Sequence, residues 1–258
     1  MQTIVDVRKN VPSGTIVINN PTVANAIPAF GYIQLRQALD DLHQEKSVRG
    51  VILTGAGQYF SAGTDLKQLH NELKRDVLAS HQDISLLNEL VLAMLRFPKP
   101  IIAALNGPAI GSAAALVLAA DFVIASDRAT LQIPEVQRGL AGGCAVTMLN
   151  FRCGAAAAAR FALTGQPISA EMAAELGLIH DIVKADLVWA RAHQLAEELS
   201  SGSSQSIQMT KRMLNESLAD QLETQLQVSG AMTAAARSTS HARLGIESFL
   251  NKESPEWD

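Results

Sequence analysis

KPIIAALNGPAIGSAAALVLAAD, residues 99–121, decides what kind of chain this is. From Pro100 to Ala120 it runs 21 residues without a charge, which is long enough to span a bilayer. Its composition points elsewhere. Pro100, Asn106, Gly107, Pro108, Gly111 and Ser112 interrupt it, and alanine adds little apolar drive. The Asn-Gly-Pro break divides it into two short elements. IIAAL then reads as a buried strand and GSAAALVLAA as a buried helix, with Asp121 closing the run. A small-residue helix of this kind is a packing element of a globular core.

Working outward, strands and helices alternate. Ile4 to Val7 and Gly14 to Ile18 look like two strands joined by a Pro-Ser-Gly turn. Pro28 to Glu45 has helical apolar spacing at Phe30, Ile33, Leu35, Ala38, Leu39 and Leu42. Gly50 to Thr54 is a continuous apolar strand, followed by the glycine-rich GAGQYFSAGTD. Leu66 to Phe97 reads as mostly helical, with a polar stretch at Asn71 to Asp83. FVIA is a further strand, AAAAARFA is helical by propensity, and PISAEMAAELGLI has a serine cap at Ser169 and a stop at Gly177. From Ala185 to Leu250 almost everything reads as helix. The alternation argues an α/β architecture. SSGSSQS marks a division into a core at 1–198 and a helical C-terminal region at 199–258.

Composition bounds the function. The chain has 258 residues, enough for a large single core. Hydrophobic residues make up 48% and charged residues 18%, the balance of a globular protein. The net charge is −4 and no basic block occurs, so the clustered positive face of a nucleic-acid binder is missing. Two cysteines, Cys144 and Cys153, make no disulfide framework and read as reduced, buried thiols. The first residues lack the layout of a signal peptide, so the expected compartment is the cytosol. No metal site is expected.

Two glycine-containing loops each follow an apolar strand and precede a helix: VILTGAGQYFSAGTDL and IIAALNGPAIGSAAAL. Free N–H groups at such a helix start can hold an anion or a developing negative oxygen, although tight turns alone also account for them. Neither loop is a P-loop or a dinucleotide fingerprint. Glu135, in LQIPEVQRGLAGG, follows a proline in an apolar setting. It is either a solvated carboxylate or a partly desolvated general base.

These segments together resemble the crotonase, or enoyl-CoA hydratase/isomerase, family. INNPTVANAI, LTGAGQYFSAGTDLKQL, KPIIAALNGPAIGSAAALVLAADFVIASDRATLQIPEVQRGL, LTGQPISAEMAAELGLIHDIV and GIESFLNKESPEW match its motifs over nearly the whole length. The resemblance implies a spiral of ββα turns with a helical trimerisation tail, assembled as a homotrimer or homohexamer, acting on an acyl-CoA thioester. It implies no cofactor beyond the coenzyme A of the substrate, no nucleic acid and no membrane. It assigns the oxyanion hole to the N–H groups of Thr64 and Ser112, and places Thr64, Asp65, Leu66 and Lys67 beside the coenzyme A. Ala24, Ala26 and Ala62 line the same groove, and Phe249 and Lys252 occupy tail positions that reach it.

The chain departs from the family pattern in informative places. Hydratases of this family carry two glutamates twenty positions apart. Glu135 matches the second, and Ala115 stands where the first would be. Ser112 replaces a usual glycine, Thr64 a common alanine, and Gly143 the catalytic aspartate of dehalogenase members. One base suffices to move a double bond along an acyl chain, so the pattern favours Δ3,Δ2-enoyl-CoA isomerisation. Hydratase-like or other enolate chemistry (decarboxylation, C–C hydrolysis), or a coenzyme A-binding member of low activity, stay open.

Overall fold

The computed structural model describes residues 3–72 and 77–257; the side chains of residues 77–82 and 216–220 are not described. A six-stranded sheet forms its centre: β1 (Val5–Asn10), β2 (Ser13–Ile18), β3 (Gly50–Gly55), β4 (Ile101–Leu105), β6 (Phe122–Ser126) and β9 (Asp181–Val183), in the order β1-β2-β3-β4-β6-β9. Only β1 runs antiparallel to its neighbour; the other pairings are parallel. The fully buried run of β4 shows why IIAAL has no polar alternation: central parallel strands are covered on both faces. A second, three-stranded sheet joins β5 (Ala109–Ile110), β7 (Thr130–Gln132) and β8 (Ile168–Ser169).

The helices are α1 (Ala29–Gln44), α2 (Leu66–Glu72), α3 (Val77–Arg96), α4 (Ser112–Ala119), α5 (Gly143–Thr164), α6 (Ala170–Glu175), α7 (Val188–Ser200), α8 (Ser204–Arg237) and α9 (Ser240–Asn251). The α/β spiral with C-terminal helices is the architecture expected. Every residue of α4 is buried, because small side chains let it pack closely against both α3 and α5. Among the described residues no helix is long and apolar enough to cross a membrane.

Asp121, the charge that ends the opening stretch, is a structural anchor. Its Oδ2 accepts from the Ile101 N–H at 2.7 Å and from Lys211 Nζ at 2.6 Å. The same ammonium donates to the Met94 and Lys99 carbonyls. Three acceptors satisfy a cation that burial pushes below its usual pKa, the condition under which a buried ion pair is tolerated. The contact ties α8 to the core.

Two expectations need correction. The apolar face of α1 is not Phe30 and Ile33, which are 37% and 55% exposed; Tyr32, at 3%, takes that place with Leu35, Ala38, Leu39 and Leu42. Cys144 is buried, but Cys153 is only half-buried. The polar stretch Asn71 to Asp83 is helical up to Glu72 and from Val77, while residues 73–76 lie outside those described.

Candidate active site

Backbone pairing stitches the two glycine loops together. The Phe60 and Ser61 N–H groups both donate to the Pro108 carbonyl, and Ile110 N–H donates to the Ser61 carbonyl at 3.0 Å. Asn25 holds the first loop from behind: its Nδ2 donates to the Ala56 and Tyr59 carbonyls at 2.8 Å, and its own carbonyl accepts from Ser61 Oγ at 2.7 Å. Ala62 N–H donates to the Ala24 carbonyl, and Ile27 pairs with Thr64. The INNPTVANAI segment is therefore the brace of the first loop. Asp65 accepts at Oδ1 from the Lys67 and Gln68 N–H groups and so caps α2.

The result is that Thr64 and Ser112 face each other, with Oγ1 and Oγ 3.1 Å apart. Ser112 is the first residue of α4, where an N–H has no intrahelical partner. Neither its N–H nor that of Thr64 donates to an acceptor among the described residues. Both residues wall one cavity, and unpaired backbone donors in such a place can hold a negative oxygen.

A residue that sequence reasoning missed lies here. Tyr32 Oη is 2.8 Å from Ser112 Oγ and 3.0 Å from Thr64 Oγ1. A usable signal existed, since Tyr32, Leu35, Leu39 and Leu42 share helical spacing, and a tyrosine in a buried stripe needs a partner for its hydroxyl.

Glu135 reaches the same cavity through the small sheet. Ile110 pairs with Gln132, and Gly111 N–H donates to the Gln132 carbonyl at 2.8 Å, so Gly111 and Ser112 sit beside Pro134 and Glu135. An added Cβ on Gly111 would stand 2.8 Å from Glu135 Oε1. Glu135 Oε2 is buried with no hydrogen-bond partner. Desolvation pushes the carboxyl up to about 7, against a smaller opposing pull from its own backbone and from Arg138. A buried carboxyl with one oxygen unpartnered and a near-neutral pKa is suited to taking and returning a proton.

The remaining wall comes from α1, α2, α3, α5 and the C-terminal helices, including Leu69, Ile84, Leu87, Cys144, Thr233, Arg237 and Phe249. Residues after 198 thus wall the cavity as well as covering the core. At one side Gln68 Nε2 donates to Glu72 Oε1 at 2.6 Å. Burial, followed by a hydrogen bond and charge from Glu72, raises Asp83 to about 6. Deeply set Arg237 faces both carboxylates and Tyr32. The Arg138 guanidinium lies 4.4 Å from the Phe249 ring centroid. Among the described residues no cluster of His, Cys, Asp and Glu could hold a metal ion.

The sequence matches the family model described as enoyl-CoA hydratase/isomerase over residues 10–258. The chain belongs to the enoyl-CoA hydratase/isomerase family. It is 32% identical to the 1,2-epoxyphenylacetyl-CoA isomerase of Escherichia coli, with 94% of each chain covered. It is 29% identical to the 2,3-dehydroadipyl-CoA hydratase of the same organism, over 94% of this chain and 93% of the relative. An enoyl-CoA hydratase/isomerase from Mycobacterium paratuberculosis shares its fold with a TM-score of 0.88 at 31% identity, over 96% of this chain and 98% of that one.

For an enoyl-CoA hydratase/isomerase family member, the expected residues are distributed unevenly. Thr64, Ser112, Glu135, Ala62, Asp65, Leu66 and Phe249 all wall the cavity. Ala26 is buried and Ala24 is half-buried behind Ala62, neither of them on that wall. Lys67 and Lys252 are exposed, the first in the opening turn of α2 and the second at the C-terminal cap of α9. Ala115 is fully buried, one turn after Ser112 on the same helix.

Proposed function

We propose that this protein is a Δ3,Δ2-enoyl-CoA isomerase in which Glu135 is the proton shuttle and the N–H groups of Thr64 and Ser112 form the oxyanion hole. Glu135 removes a proton from C2 of a 3-enoyl thioester. The resulting dienolate places its negative charge on the thioester oxygen between the two N–H groups. The same carboxyl returns the proton at C4, leaving the double bond conjugated to the carbonyl; no atom is gained or lost. No cofactor enters beyond the coenzyme A of the substrate. That portion is assigned to Ala24, Ala26, Ala62, Thr64, Asp65, Leu66 and Lys67, with Phe249 beside it and Lys67 and Lys252 as cations for its phosphates.

The observation that carries the reading is the pairing of Glu135 with Ala115. A desolvated carboxylate borders the loop, and no second carboxylate stands at the position from which family hydratases place one. A panel of saturated, 2-enoyl, 3-enoyl and malonyl thioesters tests it. The 3-enoyl substrate should gain the absorbance of a conjugated enoyl thioester, while the 2-enoyl substrate should be hydrated poorly. Rapid loss of that absorbance with a 2-enoyl substrate, or turnover of the malonyl thioester alone, would sink the assignment.

A base must be deprotonated to act. With the Glu135 carboxyl raised to about 7, kcat/KM for the 3-enoyl substrate should climb as pH rises through about 7 and then level off. A profile flat from pH 5.5 to 8.5 would place the base elsewhere.

The assembly is proposed to be a homotrimer or homohexamer. Along α8, Met209, Met213, Leu214, Val228 and Met232 are exposed, Met213 at 71%, although Leu222, Leu226 and Ala234 of the same helix are buried against the core. Apolar side chains on one helix in this number mark an association surface. Light scattering at micromolar concentration should show no monomer; a stable monomer contradicts the proposal.

A further inference from the structure

We propose that the side-chain hydroxyl of Ser112 is a third hydrogen-bond donor to the oxygen held by the Thr64 and Ser112 N–H groups, and that Tyr32 and Thr64 orient and polarise it. The inference rests on the oxyanion-hole reading above, but not on which enolate reaction follows.

Proton counting leads there. Tyr32 Oη lies 2.8 Å and Thr64 Oγ1 3.1 Å from Ser112 Oγ, each placed as a donor to it, and the two lie 3.0 Å from each other. Tyr32 and Thr64 bring one proton each to these three contacts, so Ser112 Oγ accepts at least one hydrogen bond and at most two, within the acceptor capacity of a hydroxyl oxygen. Its own proton is left over, and no acceptor for it occurs among the described residues. Tyr32, Thr64 and Ser112 all wall the cavity that Glu135 borders. The leftover proton is therefore free to turn toward an oxygen that occupies that cavity.

The surroundings favour a donor over a nucleophile. A serine acts as a nucleophile when a base takes its proton. Here the neighbouring hydroxyls are placed to donate to its oxygen instead, which makes the Ser112 O–H more acidic and strengthens the bond it donates. Tyr32 is suited to the role. It is almost fully buried, and desolvation raises its pKa, so it stays a protonated donor across the working pH range. Deeply set Arg237 lies near it and pulls in the opposite direction, with a smaller effect than burial. The donor also sits on the residue whose N–H serves the same oxygen, so closing the α4 start positions both at once. A glycine at position 112 would supply the N–H alone.

Ser112 is thus read as a catalytic residue, and Tyr32 as a positioning residue acting through it. Each substitution separates a hydroxyl from the backbone. Ser112→Gly and Ser112→Ala keep the N–H and delete the third donor; Tyr32→Phe keeps the ring and deletes the polariser. Removing one oxyanion donor typically costs about 10²–10³ in kcat, and a third donor beside two retained N–H groups should cost less, roughly tenfold. KM should change little. Tyr32→Phe should lower kcat in the wild-type background and have little effect when Ser112 is already Ala.

A readout without turnover completes the test: the absorbance shift of bound cinnamoyl-CoA, whose conjugated carbonyl reports polarisation of the thioester oxygen. Wild-type protein should shift it to longer wavelength, and the Ser112 variants and Tyr32→Phe should reduce that shift. No shift in the wild type would overturn the oxyanion-hole reading itself. A full shift retained in both Ser112 variants would overturn only the hydroxyl proposal. An equal loss from Tyr32→Phe in both backgrounds would remove Tyr32 from it.

Discussion

Replacing Glu135 by glutamine should lower turnover of a 3-enoyl thioester by about 10²–10⁴, the usual cost of losing a positioned general base, while affinity for the coenzyme A portion stays within a few-fold. The amide keeps the shape of the side chain and removes its basicity. The sign of the accompanying stability change separates loss of chemistry from loss of fold. A carboxyl raised from about 4.5 to about 7 by desolvation binds its proton more tightly when folded. Folding is therefore penalised as pH rises from the unfolded value toward 7, and the full penalty applies above it. Glutamine carries no such penalty, so the variant should be at least as stable as the wild type at pH 8. Near-full isomerase activity in a folded variant would show that the base lies elsewhere. An inactive variant with a clearly lowered melting temperature at pH 8 would leave Glu135 as a structural group and count against its desolvation.

Gly63→Ala should be nearly as damaging, for a geometric reason. Gly63 has φ +80°, a conformation that side chains disfavour. A Cβ there would also collide with the Ile110 carbonyl oxygen and stand 3.2 Å from the Ser112 nitrogen. Both neighbours are backbone atoms of ordered elements, Ile110 in β5 and Ser112 at the start of α4, and have little room to give. The two loops would have to part, carrying the Thr64 and Ser112 N–H groups away from a common point. Loss of one such donor costs about 10²–10³ in kcat, so a decrease of at least that size is expected, with KM raised as well because Ala62, Thr64 and Asp65 shift together. Circular dichroism and melting should show a folded protein. Unimpaired kcat in Gly63→Ala would mean that the convergence of these loops does not matter to the reaction.

The sequence alone determined much of this molecule, because its signals are local or depend on the order of elements. Uncharged runs bounded by Asn-Gly-Pro and Asp121 set β4 and α4. The alternation of strand and helix set the α/β class. Ser169 capped α6 as its hydroxyl predicts, accepting from the Met172 N–H. Motif resemblance carried Thr64, Ser112 and Glu135 to one site, and all three wall the same cavity. What stayed out of reach depended on contacts between distant segments. Tyr32 is 80 residues from Ser112 in the chain, and nothing near either residue states that their hydroxyls meet. The same holds for Lys211, which looks like an ordinary helix lysine until Asp121 and two carbonyls surround it. Arg237 and Phe249 belong to the helical tail by sequence, yet they wall the cavity because α8 and α9 fold back over the core. Desolvation of Glu135 is likewise a property of what packs around it: a carboxyl's pKa follows burial and neighbouring charge, and both are created only when the β5–β7 pairing brings Gly111 beside residue 135.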